Sequence, residues 1–452
     1  MNLRKMSKIV SVSLMLLGTG VMAFAGGQSA SPATGAGASA NAPVSISFMG
    51  WGNPSEIEIF KQMISDFEKA NPNVKVEYNG VPSADFLTKL QAMVAGGTVP
   101  DAFYFPADAV MQWSDAGIVL DLTSYIQNAK TFDVKNVWPA AIDRYRYDGN
   151  MPGQGPIWAL PKDVGPFALA YNKTLFQQKG VPLPDPDKPW TFDEFIKYGQ
   201  MLTGGSGNSQ TWAVGAYVTE SAIWANGADW LDASKTKITI NTPEFIEAMQ
   251  YKADLINKYH IHVSAAEDSA MGSYDRWRNG QIAMFPTGPW DQPAFWELPF
   301  EWDLMPWPTG RSGKSATWLG SLGLAVSSKS KHPQEAFDLI SYFAFSETGQ
   351  RTNYQLGQAV PNIMDMAKGE FLQMTKAPKN RQEFLDIIES YGRRYPQEYT
   401  YDTEWWTTFN TDADRVWTGQ VSAEQFCREM QPALQELLDK SVAKHAAAKA
   451  RK

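Results

Sequence analysis

Residues 44–105 alternate between two hydrophobic periods, and this alternation most narrowly limits the folds open to the chain. Residues 44–48 and 74–78 alternate apolar and polar side chains, as half-buried strands do, and residues 102–105 form a short apolar run. Between them, residues 55–69 and a segment around Phe86 repeat apolar residues every three or four positions, which predicts two amphipathic helices. A β-α-β-α-β order predicts a mainly parallel sheet with helices on both faces, the α/β class.

Two loops of this predicted unit hold the first candidates for a binding site. Because ligands of open parallel sheets bind beyond the carboxyl ends of the strands, the loops after the first and third strands should lie beside one crevice. Trp51 and Asn53 stand in the first loop, and Phe105 and Asp108 stand at the end of the third strand. All four are candidate ligand-binding residues. For Trp51 and Asn53 the alternative is a turn with a packing tryptophan.

Charge and cysteine content exclude several classes of function. The chain has 452 residues, enough for two or three domains, and its formal net charge of -8 argues against nucleic acid or an anionic membrane as the main partner. A single cysteine, Cys427, excludes an internal disulfide and any cysteine-rich metal site. The four histidines leave little material for metal binding. We therefore predict no metal and no cofactor.

The N-terminal residues have the composition of a targeting segment followed by a leader. Basic side chains within residues 4–8 precede an apolar run at 9–24, which is short for a transmembrane helix. A small-x-small cleavage site ends at Ala25, so residues 1–25 are predicted to be a signal peptide cleaved after Ala25. Residues 26–43 are rich in Gly, Ala and Ser, which predicts a flexible leader.

The stretch that begins at Leu160 has the pattern of a strand-to-helix connection. An apolar run at 167–171 predicts a buried strand, and Thr191 with Glu194 has capping-box spacing at the start of a helix over 191–202. Its motifs, YNKTLFQQKGVPLP and then WTFDEFIKYGQMLT, resemble the lobe-crossing segment of family 1 of the ABC-transporter extracellular solute-binding proteins. That family is sugar-binding and maltose-binding-protein-like. In it, the chain leaves its first lobe just before YNK.

Two further segments are similar to crossings of the same family. Residues 277–290, WRNGQIAMFPTGPW, resemble the segment that returns to the first lobe. Residues 318–326, WLGSLGLAV, resemble a glycine-rich strand that re-enters the second. The resemblance covers about residues 44–440 and implies a two-lobed type II periplasmic binding protein. Each lobe is expected to be a mainly parallel sheet flanked by helices, with three inter-lobe crossings. The implied domains are lobe 1 at 44–164 and 287–318, lobe 2 at 167–284 and 322–440, and a tail at 441–452.

The family resemblance implies a receptor and no enzymatic reaction. A protein of this kind binds a sugar or oligosaccharide between its lobes by aromatic stacking and by hydrogen bonds from carboxylates and amides, and then closes on it. The closed form docks on the permease transmembrane subunits of an ABC importer, and a monomer is expected. Many members carry a lipobox cysteine where this chain has Gly26. The resemblance therefore implies a free periplasmic protein.

The resemblance also implies site residues near the second crossing and ahead of the last helix. Trp290 takes the place of a stacking tryptophan in the cleft, and Asp291 follows it. The alternative is a core tryptophan at a strand end. Trp405 and Trp406, ahead of Asn410, match an aromatic pair of the family, or else form a packing cluster. Adjacent helical residues face different ways, so we expect one of the two to stack, and Trp406 aligns better.

The remaining candidates come from both lobes. Asp108 aligns with an acidic sugar-binding position of the family, and Phe105 aligns with an aromatic one. Gly165 stands where maltodextrin binders have an acidic residue, and Asp163, two residues earlier, could take over that role. The candidates of lobe 2 follow a strand or lie at the third crossing: Tyr217, Glu220, Trp224, Trp318 and Gly320. For the candidates of lobe 2, packing within the fold is the alternative, and for Asp163 the alternative is a solvated loop residue.

Two other functions stay open at this stage. A glycoside hydrolase would need two carboxylates at the right separation across the cleft, and no motif in the chain fixes such a pair. The same fold could also bind a non-sugar solute, such as a peptide, a polyamine or an osmolyte.

Overall fold

The computed structural model describes residues 43–129, 132–320 and 322–451. The predicted signal peptide, and the leader up to residue 42, lie outside the described residues. Within the described ranges, no helix combines the length and the apolar character needed to cross a bilayer.

Strands and helices alternate in the first part of the chain and again after residue 160. The described strands are β1 (Val44–Trp51), β2 (Val74–Val81), β3 (Ala102–Phe105), β4 (Arg146–Tyr147), β5 (Pro152–Ile157), β6 (Leu160–Pro161), β7 (Gly165–Pro166), β8 (Ala168–Asn172), β9 (Trp212–Val214), β10 (Ile282–Thr287), β11 (Trp302–Met305), β12 (Thr317–Gly320), β13 (Gly323–Val326) and β14 (Gly392–Arg393). The described α-helices are α1 (Pro54–Ala70), α2 (Ser83–Ala95), α3 (Val110–Asp115), α4 (Thr123–Asn128), α5 (Pro139–Ile142), α6 (Lys173–Gln178), α7 (Phe192–Leu202), α8 (Thr219–Ala225), α9 (Pro243–Asn257), α10 (Ala265–Ala270), α11 (Ser273–Arg278), α12 (Gln292–Phe295), α13 (Pro333–Phe345), α14 (Glu347–Gln355), α15 (Met364–Met366), α16 (Gln382–Asp386), α17 (Glu404–Asp412), α18 (Asp414–Trp417) and α19 (Ala423–Lys449).

Helix α1 shows how local sequence builds the first part of the fold. Asn53 Oδ1 accepts a hydrogen bond from Glu56 N at 3.0 Å, and Glu56 Oε2 accepts one from Asn53 N at 2.9 Å. The two residues thus satisfy each other's helix-end donors, and such a cap is worth about 1 kcal/mol. The apolar face, which includes Phe60 and Phe67, is buried. The helix predicted over 55–69 is confirmed.

The first sheet has the strand order β2-β1-β3-β13-β6. Strand β1 is parallel to both β2 and β3, with Phe48 beside Tyr78 on one side and Ala102 on the other. Strands β13 and β6 extend the sheet in antiparallel register. Helices α1 and α13 pack together against this sheet and bury its aromatic core. The predicted α/β class is confirmed.

The second sheet has the order β11-β8-β10-β9. Strand β8 is antiparallel to both of its neighbours, and only β10 and β9 are a parallel pair among the described strands of this sheet. The sheet is therefore mixed, where a mainly parallel sheet was expected.

Three short strands, in the order β14-β12-β7, form a connecting sheet between the two larger ones. Strand β6 belongs to the first sheet, β7 to the connecting sheet and β8 to the second sheet, so the chain passes from the first sheet to the second over residues 161–168. The connecting sheet brings Gly165 opposite Gly320, at a register position that the site described below depends on.

The expected positions of the other two crossings are wrong. Lobe 1 was expected to contain 287–318, but β11 pairs with β8 in the second sheet. Lobe 2 was expected to contain 322–440, but β13 pairs with β3 in the first sheet and α13 packs beside it. The chain returns to the first sheet after Gly320 and runs back past Val360, which bridges to Val164. Sheet membership depends on pairing between residues distant in sequence, and a glycine-rich motif does not encode that pairing.

Candidate functional site

A cavity of about 540 Å³ lies where the carboxyl ends of β1 and β3 face the connecting sheet. Its volume is in the usual range of small-molecule sites. The cavity brings together residues that the sequence predicted from both halves of the chain. These are Trp51, Asn53, Asp108, Asp163, Trp290, Trp318 and Gly320. The structure therefore supports the crevice that the parallel strand order predicted.

One side of the cavity is a set of nearly parallel aromatic rings. Trp318 stacks on Phe167, with ring centroids 4.3 Å apart, and on Tyr395 at 5.2 Å. Trp290 lies 6.1 Å from Trp318, with an angle of 19° between the ring planes. Trp290, Trp318 and Tyr395 line the cavity, and we call these three residues the aromatic wall; Phe167 packs on Trp318 but is not a lining residue. A surface of this kind can pack against the C–H face of a sugar ring.

Two glycines make room for the aromatic wall. A Cβ atom on Gly320 would lie 2.5 Å from Cζ3 of Trp318, and one on Gly165 would lie 3.1 Å from Cζ3 of Trp290. Both approaches are closer than a side chain tolerates without displacement of the ring. Gly320, which was expected to bind ligand, therefore acts here by leaving space for an indole ring. Gly165, which departs from the family pattern at this position, has the same effect on the ring of Trp290.

Trp51 and Asn53 lie on the side of the cavity formed by the first sheet. The indole of Trp51 makes edge-to-face contacts with Phe86 and Tyr104, at centroid distances of 4.6 and 5.5 Å. Asn53 lines the cavity while its side-chain oxygen caps α1. Both residues thus have the packing and turn roles given above as the alternative, and both also face the cavity.

A buried ion pair joins two consecutive residues at the first crossing. Lys162 Nζ lies 2.9 Å from Asp163 Oδ2, and both side chains are buried. The ammonium group also lies over the ring of Tyr104, 5.5 Å from its centroid. Burial opposes the charge, but the carboxylates of Asp163 and Glu56 outweigh it and raise the pKa of Lys162. Lys162 is therefore an ammonium ion at neutral pH.

A second buried ion pair joins Arg144 to Glu398, and both residues line the cavity. The guanidinium of Arg144 also donates a hydrogen bond to the carbonyl of Leu319 on β12. Burial opposes the charge of Arg144, but Glu398 and Tyr145 raise its pKa, so the guanidinium stays charged. The pair links the connecting sheet to the segment that carries Tyr395 and Glu398.

Asp108 has the most perturbed carboxyl group among the described residues of the cavity. Burial and, to a smaller extent, the negative charge of Glu398 raise the pKa of Asp108 to about 6, although its own backbone N–H and the positive charge of Arg144 act in the opposite direction. The carboxyl group is thus divided between its protonated and ionised forms at mildly acidic pH. In either form it offers oxygen atoms to the hydroxyl groups of a ligand.

Several cavity residues escaped the sequence prediction. Glu56, Arg144, Lys162, Tyr395 and Glu398 all line the cavity. Glu56 had a signal, since its spacing from Asn53 is that of a capping box placed at a strand end. The ion pair of Arg144 and Glu398 had none, because its partners are 254 positions apart in the sequence.

Three predicted aromatic site residues lie in the cores. Phe105 is fully buried and packs against Phe103 and Trp113, on the far side of β3 from the cavity. Tyr217 is buried in the core of the second sheet, as is Trp405. The alternative of packing holds for all three, since none of them lines the cavity.

The other predicted residues lie behind or away from the cavity. Trp406 contacts Tyr395 edge-on at 6.1 Å, so it supports the aromatic wall from behind. Asp291 accepts a hydrogen bond from Thr287 Oγ1 at 2.9 Å and fixes the turn before Trp290. The remaining three are Glu220 and Trp224, both buried in α8, and Asn410, exposed on α17.

Comparisons with known proteins identify the family of the chain. The family model described as bacterial extracellular solute-binding protein matches residues 53–350. A multiple sugar-binding protein of Streptococcus mutans is 24% identical over 315 residues, which cover 64% of this chain and 69% of that protein. An erythritol/L-threitol-binding protein of Mycolicibacterium smegmatis is 29% identical over 308 residues, 62% of either chain.

Among solved structures, an ABC substrate-binding protein from Listeria monocytogenes in complex with cycloalternan superimposes with a TM-score of 0.79. It is 25% identical, and the match covers 88% of this chain and 99% of that one. The GacH receptor of Streptomyces glaucescens, solved with acarbose, gives a TM-score of 0.75 at 19% identity and supports the fold alone.

Proposed function

Because the chain belongs to the bacterial extracellular solute-binding proteins, we propose that it is the periplasmic receptor of an ABC importer and binds a sugar or oligosaccharide in the 540 Å³ cavity. The observation that carries the proposal is the aromatic wall of Trp290, Trp318 and Tyr395 facing buried charged groups. Aromatic faces and planar hydrogen-bonding groups on opposite sides are what a sugar needs. The solute names of the two relatives support the same class of ligand.

The proposed mechanism is binding with closure, and no bond is broken. The two larger sheets form two lobes, and the chain passes between them at 161–168, at 320–323 and near Val360. A sugar that contacts Asp108 in the first lobe and Trp290 at the base of the second gains its full set of contacts in the closed form. Because its affinity differs between the open and closed forms, the ligand shifts the population toward closure.

The proposal extends to export and partners. The mature protein would begin after Ala25, would carry no lipid anchor at Gly26, and would act as a monomer. The closed form would dock on the transmembrane subunits of the permease.

The test is titration calorimetry of the mature protein against mono- and oligosaccharides, followed by chromatography of the recovered ligand. We expect saturable binding of one sugar per chain and recovery of the sugar intact. Trp290→Ala should weaken binding about fivefold, since one aromatic contact is worth roughly 1 kcal/mol. Asn410→Ala, on an exposed helix face outside the cavity, is the matched control and should leave the affinity unchanged.

Two outcomes would contradict the proposal. Recovery of cleaved sugar would indicate a glycoside hydrolase, for which Asp108, with its raised pKa beside Glu398, would be the first acid to test. Failure of every sugar to bind would indicate that the cavity accepts a different class of solute.

A further inference from the structure

The charged groups of the cavity are unequal in number. Of the described charged side chains that line it, four are acidic and two are basic. The acidic ones are Glu56, Asp108, Asp163 and Glu398, and the basic ones are Arg144 and Lys162. A third cation, Arg394, lies outside the lining with its Nε 3.7 Å from Glu398 Oε2. The four carboxyl groups still outnumber these three cations, so a ligand in the cavity meets an excess of carboxyl groups.

Both cations are already held by carboxylates of the protein. Lys162 Nζ contacts Asp163 Oδ2 at 2.9 Å, and Arg144 is paired with Glu398. The guanidinium of Arg144 also donates a hydrogen bond to the carbonyl of Leu319. An anionic ligand would have to compete with buried carboxylates for these two groups, and breaking a buried pair leaves an uncompensated charge behind.

The other two carboxyl groups of the cavity, those of Glu56 and Asp108, are not paired with either of these cations by a salt bridge. Glu56 accepts hydrogen bonds from Asn53 N at 2.9 Å and from Gln358 Nε2 at 2.6 Å, so its charge is fixed in place by neutral donors. Asp108 feels the negative charge of Glu398 more than the positive charge of Arg144. A second anion near either group would be repelled, and this repulsion is strong because the site is largely buried.

We infer that the cavity selects uncharged oligosaccharides and rejects sugars that carry a carboxylate or a phosphate. This inference rests on the proposed function, since it names the ligand class of the same site. Hydroxyl groups suit the cavity because they can donate to the carboxyl groups without the repulsion that an anionic oxygen would meet. Like charges repel strongly in a site shielded from water, so we expect a neutral sugar to bind at least about tenfold more tightly than its acidic counterpart.

The experiment compares matched neutral and acidic ligands on the mature wild-type protein. Maltotriose, cellotriose and galactotriose are titrated by calorimetry, each beside the same trisaccharide oxidised to a carboxylate at C6 of its terminal residue. At about pH 7.5 the added carboxyl and Asp108 are both ionised. We expect each neutral sugar that binds to do so at least about tenfold more tightly than its acidic counterpart.

Two variants assign the effect to the cavity. Asp108→Asn removes one negative charge without leaving a buried cation unpaired. It should reduce the ratio of the affinity for the neutral sugar to the affinity for the acidic sugar several-fold. Glu58→Gln, on the exposed face of α1, removes a charge outside the cavity and should leave the ratio unchanged.

The outcomes separate this inference from the proposed function. If acidic and neutral trisaccharides bind equally well, or the acidic ones bind more tightly, the inference is wrong while the receptor function stands. If no trisaccharide of either kind binds, the inference that the cavity selects neutral oligosaccharides is wrong, and the titration of monosaccharides decides whether the proposed function stands. The comparison on the wild-type protein decides between these cases even if the Asp108→Asn variant does not fold.

Discussion

Glu398→Gln should destabilise the protein strongly, because it breaks the most deeply buried ion pair at the cavity. The side chains of Arg144 and Glu398 are only 2% and 6% exposed. A glutamine preserves the shape of the side chain but leaves the guanidinium of Arg144 without a counter-charge. Removal of one partner from a buried pair costs about 3 to 5 kcal/mol, and we expect a loss at the lower end because Arg144 retains its bond to Leu319.

An exposed ion pair supplies the control for this magnitude. Lys61 Nζ lies 2.7 Å from Glu58 Oε1, and their side chains are 56% and 69% exposed. Glu58→Gln should therefore cost less than about 1 kcal/mol, although the distance between the charged atoms is short. The difference between the two variants measures the effect of burial and not the effect of contact distance.

A double variant tests whether the cost comes from the unpaired charge. In Arg144→Met with Glu398→Leu, both charges of this pair are replaced by apolar groups. The more exposed Arg394, whose Nε lies 3.7 Å from Glu398 Oε2, keeps its charge. The free energies of unfolding lost in Arg144→Met and in Glu398→Leu are measured separately and added. We expect the double variant to lose less than this sum, with a coupling energy of at least about 1 kcal/mol.

The assay is urea unfolding at neutral pH with linear extrapolation of the free energy of unfolding. A loss below about 1 kcal/mol in Glu398→Gln would refute the reasoning, because that value is typical of an exposed pair. Strict additivity in the double variant would also refute it, because the two groups would then act independently.

Two further predictions follow from the glycine and from the perturbed carboxyl group. Gly320→Ala should weaken sugar binding about tenfold by displacing Trp318, whereas Gly369→Ala, where an added Cβ meets no atom within 4 Å, should not; calorimetry of both variants checks this. Because the pKa of Asp108 is raised to about 6, the folded state binds a proton that the unfolded state has released, and stability should fall as pH rises from about 4 to about 6. In Asp108→Asn, this loss in the free energy of unfolding between about pH 4 and about pH 6 should be smaller by at most about 3 kcal/mol, as measured by urea unfolding at each pH. Identical pH profiles of stability in the wild type and the variant would contradict the assignment of this pH dependence to Asp108.

The parts of the fold that depend on local pattern were predictable. Helix α1 was placed within a residue at each end, since its apolar period and its Asn53–Glu56 cap are both encoded within the segment itself. The positions of Trp51 and Asp108 at one crevice followed from the parallel order of β1 and β3 alone. Such inferences need only the secondary structure and the general rule for parallel sheets.

The parts that depend on distant pairing were not predictable. Strand β13 carries the expected glycine-rich pattern, yet it joins β3, more than two hundred positions earlier, and not a strand of the second sheet. The two ion pairs of the cavity also could not be predicted, although one joins neighbours in sequence and the other joins distant residues. Lys162 and Asp163 are neighbours in sequence, but nothing in their sequence indicates burial, and Arg144 meets Glu398 only through the tertiary fold.

Aromatic candidates divided according to burial, which a single sequence does not reveal. Tyr217 and Trp405 carry the same sugar-binding chemistry as Trp318, but they are enclosed by the core of the second sheet. Trp318 packs against the edge of that core but is only partly buried. Its indole lies beside the cavity, where Gly320 leaves room for the ring. Residue type thus selects candidates, and packing decides among them.

The most direct test of the central claim is a crystal structure of the mature protein with a bound oligosaccharide. The account predicts a sugar ring on the aromatic wall, within van der Waals contact of Trp290, and hydroxyl groups within hydrogen-bond distance of Asp108. A sugar bound instead in the groove of about 690 Å³ beside Tyr125 and Phe337, with the cavity empty, would contradict it.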